Sequence, residues 1–447
     1  MDEHPFSRRA SYGSSSPVVG TRGARTRQQI VDAALHCFTD KGFHGTAVED
    51  IATQAETSRA TLYQYFESKE AIFKELMNES GNALMRVTRR LGQLGPTAEG
   101  FDSLHWWLGE WSWVFDRYAA LFIEWANVNS PKAPLRSKIG EFIENYTIRF
   151  RDSLLKAGFD GDPSVISLLV LGVTSRYNYI RHVYRPGPSD SQMLDSLAIA
   201  LQLLLFPTTP KSVLDAGPLS VDHGDRPPES SLPVNLFGPL SELPARSQLG
   251  VVPPTDGLSA QASKTVRQLL DAAGTVFADT GYGAANVDQI VSTAKVARGT
   301  FYRYFRDKLD LMIALANECA RDMHQPWLDL ATLSTTHDEA ELRDWLHRFI
   351  VLHDRYTGVM RAWTEGLPID PKVLVPCREV VADMSAAVRD LYGPTRSYAL
   401  DRRAVGVMLA ALLEHFPNEG KGTRFEPSAQ QIVEAQALFI ERVILVR

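Results

Sequence analysis

The sequence has few of the residues on which many catalytic and metal sites depend. Three of its 447 residues are cysteine, Cys37, Cys319 and Cys377, and no two of them form a CxxC pair. It contains neither the HExxH motif of zinc peptidases nor the GxSxG motif of serine hydrolases. The segment 420–423, GKGT, lacks the first glycine of a phosphate-binding loop and the strand that such a loop follows. We therefore expect no enzymatic activity, no cofactor and no metal site.

Long apolar runs and alternating polar and apolar residues are also missing. No stretch approaches the roughly 18 apolar residues of a membrane span. The first twenty residues, MDEHPFSRRASYGSSSPVVG, lack the apolar core of a secretory signal. We expect a cytoplasmic protein without a membrane segment, whose cysteines are reduced and buried. Because no strand pattern appears, the predicted fold class is all-α.

The chain also lacks a net positive charge. Its formal net charge of −6 would by itself argue against binding to nucleic acid. The positive residues are nevertheless clustered, and a compact basic surface on an acidic body is typical of a regulator with a separate sensing domain. One cluster, at residues 8–27, contains no acid, and the other lies near residue 300. Their members are Arg8, Arg9, Arg22, Arg25 and Arg27, and Arg298, Arg303, Arg306 and Lys308.

Residues 46–69, TAVEDIATQAETSRATLYQYFESK, are predicted to form two short helices around a tight turn. Thr46 is the expected N-cap of the first helix, and two acids follow in its first turn, where carboxylates suit the helix dipole. Thr57 or Ser58 is the expected cap of the second helix. This pattern is that of a helix-turn-helix, whose second helix enters the major groove of DNA.

The same pattern returns without a gap 239 residues later, as Asp271 minus Asp32 shows. Chance does not produce so many identities at one fixed offset, so the chain contains two copies of one module. The identical pairs include Phe38/Phe277, Gly42/Gly281, Ile51/Ile290, Arg59/Arg298, Thr61/Thr300, Tyr63/Tyr302, Phe66/Phe305 and Lys69/Lys308.

Composition and helical periodicity divide the chain into six predicted regions. The proline-rich linker holds ten of the 25 prolines, and its flexible span, on the order of 40 Å, would let the second copy fold back beside the first. The basic N-terminal arm is expected to be disordered; it is either a solvated terminus or an arm that contacts phosphates or the minor groove. The regions are arm 1–22, first head 23–68, first helical domain 69–206, linker 207–261, second head 262–307 and second helical domain 308–447.

The segments TLYQYF before Lys69 and TFYRYF before Lys308 resemble the signature of the tetracycline-repressor (TetR/AcrR-type) family of bacterial transcription regulators. The resemblance implies that each module has a three-helix DNA-binding head and a helical domain for ligand binding and dimerisation. In that family two chains pair through their last two helices and place two heads on a DNA operator. This chain already has two heads, so it is similar to the rarer tandem members, and whether it also forms a homo-oligomer stays open.

The residues predicted to contact DNA lie on and around the two reading helices. Arginine can bind guanine with two hydrogen bonds, glutamine prefers adenine, and hydroxyl groups reach phosphates. The resemblance implies that Lys69 and Lys308 hold a phosphate at a helix N-terminus. The alternative for the arginines is a solvated face, and Tyr65 and Tyr304 are favoured as core residues. The full set is Thr46, Thr57, Ser58, Arg59, Thr61, Tyr63, Gln64 and Lys69, with Asn286, Arg298, Gly299, Thr300, Tyr302, Arg303 and Lys308.

The tryptophan-rich stretch 101–127 and the segment 176–182 are the candidate sensing site. Buried aromatic residues with a few polar groups suit a bulky apolar effector such as a steroid, an aromatic compound or an acyl compound. The alternative is that these aromatic residues are only core. The predicted pocket residues are Trp107, Trp111, Phe122, Arg176 and Asn178.

The two reading helices differ at several positions, including Gln64/Arg303. We therefore predict a ligand-responsive repressor in which two unlike heads of one chain form an intramolecular pseudo-dimer on an asymmetric operator. The alternative is a non-enzymatic interaction protein with only one head competent for DNA. The second head keeps Arg298, Tyr302 and Lys308, so its sequence gives no sign that it has lost DNA binding.

Overall fold

A computed structural model describes residues 21–128, 136–186, 189–217, 257–336, 338–364, 370–391 and 400–445. Within these ranges all regular secondary structure is helical, which confirms the predicted all-α class. No helix in the described part of the chain is both long and apolar enough to span a bilayer. The predicted arm up to residue 20 and residues 218–256 of the predicted linker lie outside the described residues.

The first half of the chain contains ten helices in its described ranges. The first helix loses helical geometry at Gly42 (φ 72°, ψ 165°), where the sequence predicts its end. The helices are α1 (Thr21–Gly45), α2 (Val48–Gln54), α3 (Arg59–Tyr65), α4 (Lys69–Arg89), α5 (Ala98–Arg117), α6 (Ala119–Val128), α7 (Arg136–Lys156), α8 (Pro163–Tyr184), α9 (Asp190–Leu205) and α10 (Lys211–Ala216).

The described ranges of the second half contain eight further α-helices. Two of them continue into π-helical turns, at residues Ala411–His415 and Ile440–Ile444. The helices are α11 (Ala260–Thr280), α12 (Val287–Ala294), α13 (Arg298–Tyr304), α14 (Lys308–Thr336), α15 (Glu339–Thr364), α16 (Pro371–Leu391), α17 (Arg402–Ala410) and α18 (Ala429–Phe439).

Apolar side chains at matching positions hold the three helices of each head together. Their spacing follows one face of each helix, so the same residues that create the sequence pattern also form the core. The fully buried core residues are Ile30, Ala34, Phe38, Ile51 and Leu62 in the first head, and Leu269, Ala273, Phe277, Ile290 and Phe301 in the second.

Three predicted boundaries differ from the structure. The predicted helix 101–127 is two helices, because Tyr118 (φ −110°, ψ 20°) ends α5 and α6 starts at Ala119. The predicted linker contains a short helix, Lys211–Ala216, in which Leu214 is buried. The sequence predicts that the helix beginning at Lys69 runs to about Leu94, but the helix ends five residues earlier, at Arg89.

Helices α8 and α9 of the first half pack against α17, α18 and their π-helical extensions in the second half. Nearly every residue of α8 is buried, which explains why its sequence is apolar around most of its circumference. Polar contacts also cross this junction: the Tyr184 hydroxyl donates to the Trp363 carbonyl (2.8 Å). Arg442 Nη1 donates to the Leu204 carbonyl (2.6 Å). The two halves therefore meet through the last long helices of each.

Candidate nucleic-acid interface and the cavity behind it

The reading helix of the first head, α3, buries Leu62, half-buries Thr61 and Tyr65, and exposes its other residues. Ser58 caps the helix by accepting a hydrogen bond from the Thr61 amide (3.0 Å). Leu62 is fully buried, whereas Tyr63 keeps 45% of its surface exposed. Gln64 is also exposed. The exposed residues of α3 are thus free of packing and available to a duplex.

The second head exposes the same positions on α13. Tyr302 is 49% exposed, and Arg298 and Arg303 are exposed beside it. Asn286 caps α12 by accepting from the Gln289 amide (2.9 Å), and the Gln289 side chain accepts from the Asn286 amide in return.

Each head holds its first reading-helix arginine between an acid and a tyrosine. Arg59 Nη1 lies 2.6 Å from Glu49 Oε1, and its guanidinium carbon is 5.8 Å from the centre of the Tyr63 ring. In the second head, Arg298 Nη1 lies 2.9 Å from Asp288 Oδ1, and the distance to the Tyr302 ring centre is 5.9 Å. These interactions raise the pKa of both guanidinium groups further, so both carry a positive charge at the interface.

Thr46 does not have the predicted capping role. The N-cap of α2 is Ala47, and the Asp50 carboxylate accepts its backbone N–H (2.8 Å). The Thr46 side chain is buried, and its hydroxyl faces the carbonyl oxygens of Cys37 (3.0 Å) and Gly42 (2.7 Å). The residue thus fastens the end of α1 to the start of α2, a role that depends on tertiary structure.

The two lysines at the start of α4 and α14 point into their own heads. Lys69 Nζ donates to the carbonyls of Phe43 (2.7 Å) and Thr46 (2.8 Å). Lys308 Nζ donates to the carbonyls of Tyr282 (2.7 Å), Gly283 (3.3 Å) and Ala285 (2.8 Å). An ammonium group has three protons, so Lys308 has none left for a phosphate in this arrangement. Partial burial lowers the pKa of Lys308, as expected for a tethering residue.

The family model described as "Bacterial regulatory proteins, tetR family" matches the chain twice, over residues 30–76 and 269–315. The chain belongs to the TetR family. The two matches cover the two heads, so the tandem arrangement predicted from the internal repeat is confirmed.

Curated relatives of this TetR-family chain are bacterial regulators. The uncharacterized HTH-type transcriptional regulator YdgC of Bacillus subtilis is 34% identical over 71 residues, which cover 16% of this chain and 36% of YdgC. The biofilm operon icaADBC HTH-type negative transcriptional regulator IcaR of Staphylococcus epidermidis is 26% identical over 145 residues, 32% of this chain and 72% of IcaR. The chain thus spans about a third of the length of the first of these relatives and most of the second.

Solved structures of the family resemble parts of the chain. Salmonella enterica GusR is 22% identical, covers 44% of this chain and 99% of its own, and has a TM-score of 0.34. A TetR/AcrR-type regulator of Aquifex aeolicus is 23% identical, covers 40% and 99%, and has a TM-score of 0.32.

None of the five residues predicted to form a sensing pocket lines the apolar cavity that described residues form in the second half. Trp107 and Trp111 pack on each other (5.2 Å between ring centres) and on Tyr146 and Phe150, so they fill the core of the first half. Phe122 stacks on Phe115 at 4.9 Å. The other two residues have partners of their own. Arg176 forms an ion pair with Glu414 of the second half, and the Asn178 side chain donates a hydrogen bond to the Thr174 carbonyl.

The second half of this TetR-family chain contains an apolar cavity, and of the predicted segment 176–182 Ile180 lines it. It lies between α14, α15, α16 and the π-helical turn at residues 411–415, with room of about 40 Å³ for the centres of water molecules. The first half closes it through Ile180 and Tyr184 of α8. The lining includes three methionines: Met323, Met360 and Met384. Methionine is flexible and common at binding surfaces, so these residues are the feature of the sequence that could have indicated the cavity.

Proposed function

We propose that this TetR-family chain is a ligand-responsive transcriptional repressor that binds one DNA operator with both heads. The two halves would act as an intramolecular pseudo-dimer. The observation that carries this proposal is the packing of α8 and α9 against α17 and α18. These are the last long helices of each half, the elements through which separate chains of the family are expected to pair. Repression follows the description of IcaR as a negative regulator.

In this proposal the two heads read unlike half-sites. Gln64 of α3 corresponds to Arg303 of α13, and the two side chains favour different bases, adenine and guanine respectively. The cap also differs, since Ser58 corresponds to Ala297, which has no side-chain acceptor. A single chain would therefore recognise a non-palindromic operator whose half-sites are about 34–36 Å apart. In this proposal the heads span residues 23–68 and 262–307, and the helical domains span residues 69–206 and 308–447.

Footprinting of the purified full-length chain on fragments of its own genome tests the operator model. We expect protection of two adjacent major grooves with different sequences. The double variant Arg59→Ala/Gln64→Ala should lose protection of one half-site, and Arg298→Ala/Arg303→Ala should lose the other. A palindromic footprint would contradict the proposal. If one double variant changes nothing, the interaction protein with a single competent head is correct instead.

The ligand response is assigned in this proposal to the cavity of the second half. Its lining is mostly apolar and aromatic, with a single carboxylate from Glu414, as is usual for small-molecule sites. The tryptophan-rich core of the first half is the less suitable place, because its large side chains are packed against each other. Quenching of tryptophan fluorescence by an apolar ligand should be lost when the cavity is filled by Met384→Trp.

A further inference from the structure

Glu414 is the one charged residue among the described residues that line the cavity in the second half. It lies in the π-helical turn at residues 411–415, and helical irregularities of this kind are frequent at functional sites. Burial raises the pKa of its carboxyl group. Its ion pair with Arg176 Nη2 is loose at 3.6 Å, beyond hydrogen-bond distance. The cavity therefore contains a carboxylate that its neighbours compensate only in part.

The remaining lining of the cavity is suited to a cation that also carries apolar groups. Trp327, Phe349 and Trp363 line it together with the three methionines. Aromatic faces attract cations, most strongly where water is excluded. The indole Nε1 of Trp327 is buried and has no hydrogen-bond partner among the described residues, so a ligand could also place an acceptor there.

We propose that the effector is a lipophilic cation whose positive group binds Glu414 in place of Arg176 and whose apolar body lies among the aromatic residues. This inference rests on the effector role proposed for the same cavity. An anionic ligand would face the Glu414 carboxylate, and a neutral one would leave that carboxylate without a better partner.

The helices around the cavity are built in a way that lets it expand. Pro326 lies inside α14 next to Trp327, and Pro376 lies inside α16 next to Cys377. A proline inside a helix removes one backbone hydrogen bond and allows the helix to bend there. Since the cavity is small at about 40 Å³, ligand entry must move α14 away from α16 at these two points.

Movement of α14 would reach the second head directly. Glu318 of α14 accepts hydrogen bonds from Arg267 of α11 (2.7 Å) and from Tyr356 of α15 (2.7 Å). The ion pair between Arg176 and Glu414 joins the same cavity to the first half. A cation that replaces Arg176 therefore loosens the junction of the two halves while it shifts the second head, and the spacing of the two heads changes.

Two ions of matched size and opposite charge test the inference on the full-length chain. Tetraphenylphosphonium should bind with a stoichiometry of one per chain and quench tryptophan fluorescence, whereas tetraphenylborate should bind at least about tenfold more weakly. Glu414→Gln should weaken tetraphenylphosphonium binding about tenfold. Glu414→Asp should restore part of it. The control Glu434→Gln removes a carboxylate that pairs with Arg343 outside the cavity and should change nothing.

Arg176→Met tests the role of Glu414 independently. If Glu414 had a merely structural role, this variant would not bind the cation more strongly. Removal of the competing guanidinium should strengthen tetraphenylphosphonium binding, and circular dichroism at increasing temperature checks that each variant is folded. Tighter binding of tetraphenylborate or of neutral triphenylphosphine oxide, abolished by Met384→Trp, would overturn the cationic class while the effector site survived. If none of the three probes binds, both the inference and the effector role of this cavity fail, and DNA binding by the heads is unaffected.

Discussion

Glu49 Oε1 lies 2.6 Å from Arg59 Nη1 on the exposed face of the first head. The same relationship recurs in the second head between Asp288 and Arg298, although the acid is one methylene shorter. Both arginines also lie beside a tyrosine four residues later. The two copies have diverged at neighbouring positions and kept this arrangement, and we propose that the acid orients the guanidinium for DNA.

Glu49→Gln should therefore lower sequence discrimination at the first half-site. An exposed ion pair contributes little to stability, so melting should be unchanged, but the arginine would lose its fixed direction toward a base. We expect the ratio of specific to non-specific affinity to fall about tenfold, since a good arginine–guanine contact provides about 1–3 kcal/mol of discrimination. Glu67→Gln is the control, because it removes an equal charge from the same head. An equal rise in affinity for all DNA with both variants would show that Glu49 only repels phosphate.

Gly358 of α15 lies against α11 of the second head with no room for a side chain. A Cβ atom there would be 2.7 Å from Phe277 Cβ and 2.8 Å from the Gly274 carbonyl oxygen. Gly358→Ala should destabilise the chain by about 1–3 kcal/mol through overpacking. At Gly299 of α13 an added Cβ atom would meet no described atom within 4 Å beyond its chain neighbours and its own helix backbone, so Gly299→Ala should instead stabilise the chain by about 0.5–1 kcal/mol. Thermal melting of both variants measures the difference, and an equal effect of both would contradict the close packing of α15 on α11.

Much of each head follows from the sequence because its pattern is local. Gly42, Leu62 and the cap Ser58 act within a few residues of their own position, so spacing alone predicts them. The inward direction of Lys308 is not predictable in this way, because its three carbonyl partners lie 23–26 residues earlier and meet it only in the folded head.

The cavity is not predictable from the sequence for a related reason. Trp107 and Trp111 form the stronger sequence signal, but side chains of that size fill space where they pack together. The cavity arises where aromatic and flexible residues of α14, α15 and α16 meet Tyr184 of the other half. Such a meeting depends on how α8 crosses the second half, which no local pattern specifies.

Lys308→Met distinguishes a tethering role from a phosphate contact. If the ammonium tethers the turn before α12, its loss leaves three carbonyl groups without their donor, and we expect destabilisation by about 1–3 kcal/mol. The salt dependence of DNA binding should stay the same. A phosphate contact would give the opposite result: unchanged melting and a salt slope reduced by about 1. Lys264→Met, on the exposed side of α11, controls for the lost charge.

Gln64→Arg should move the base preference of the first head toward that of the second. The side chain is exposed on α3 at the position that Arg303 occupies on α13. Arginine favours guanine where glutamine favours adenine, with about 1–3 kcal/mol of discrimination. Selection of binding sites from random DNA should show the change at one base pair of one half-site only. A change at both half-sites, or at none, would mean that residue 64 does not read a base in this way.

His353 should make the stability of the second half depend on pH. Its side chain is buried, it stacks on Phe349 (6.4 Å between ring centres), and its Nε2 atom has no hydrogen-bond partner among the described residues. Desolvation lowers its pKa from 6.5 to about 4; the smaller contribution of Asp354 raises this pKa, and that of Lys421 lowers it further.

The unfolded chain binds a proton on His353 more readily than the folded chain does. The contribution of neutral His353 to the free energy of unfolding is therefore complete above pH 6.5 and is lost as the pH falls toward about 4. The loss is on the order of 3 kcal/mol, at 1.36 kcal/mol for each unit of pKa difference. Thermal melting between pH 7 and pH 4 should show a drop that His353→Gln makes shallower, while the exposed control His347→Gln leaves it unchanged. An equally steep drop in His353→Gln would mean that other groups cause the acid sensitivity, since a neutral glutamine takes up no proton over this range.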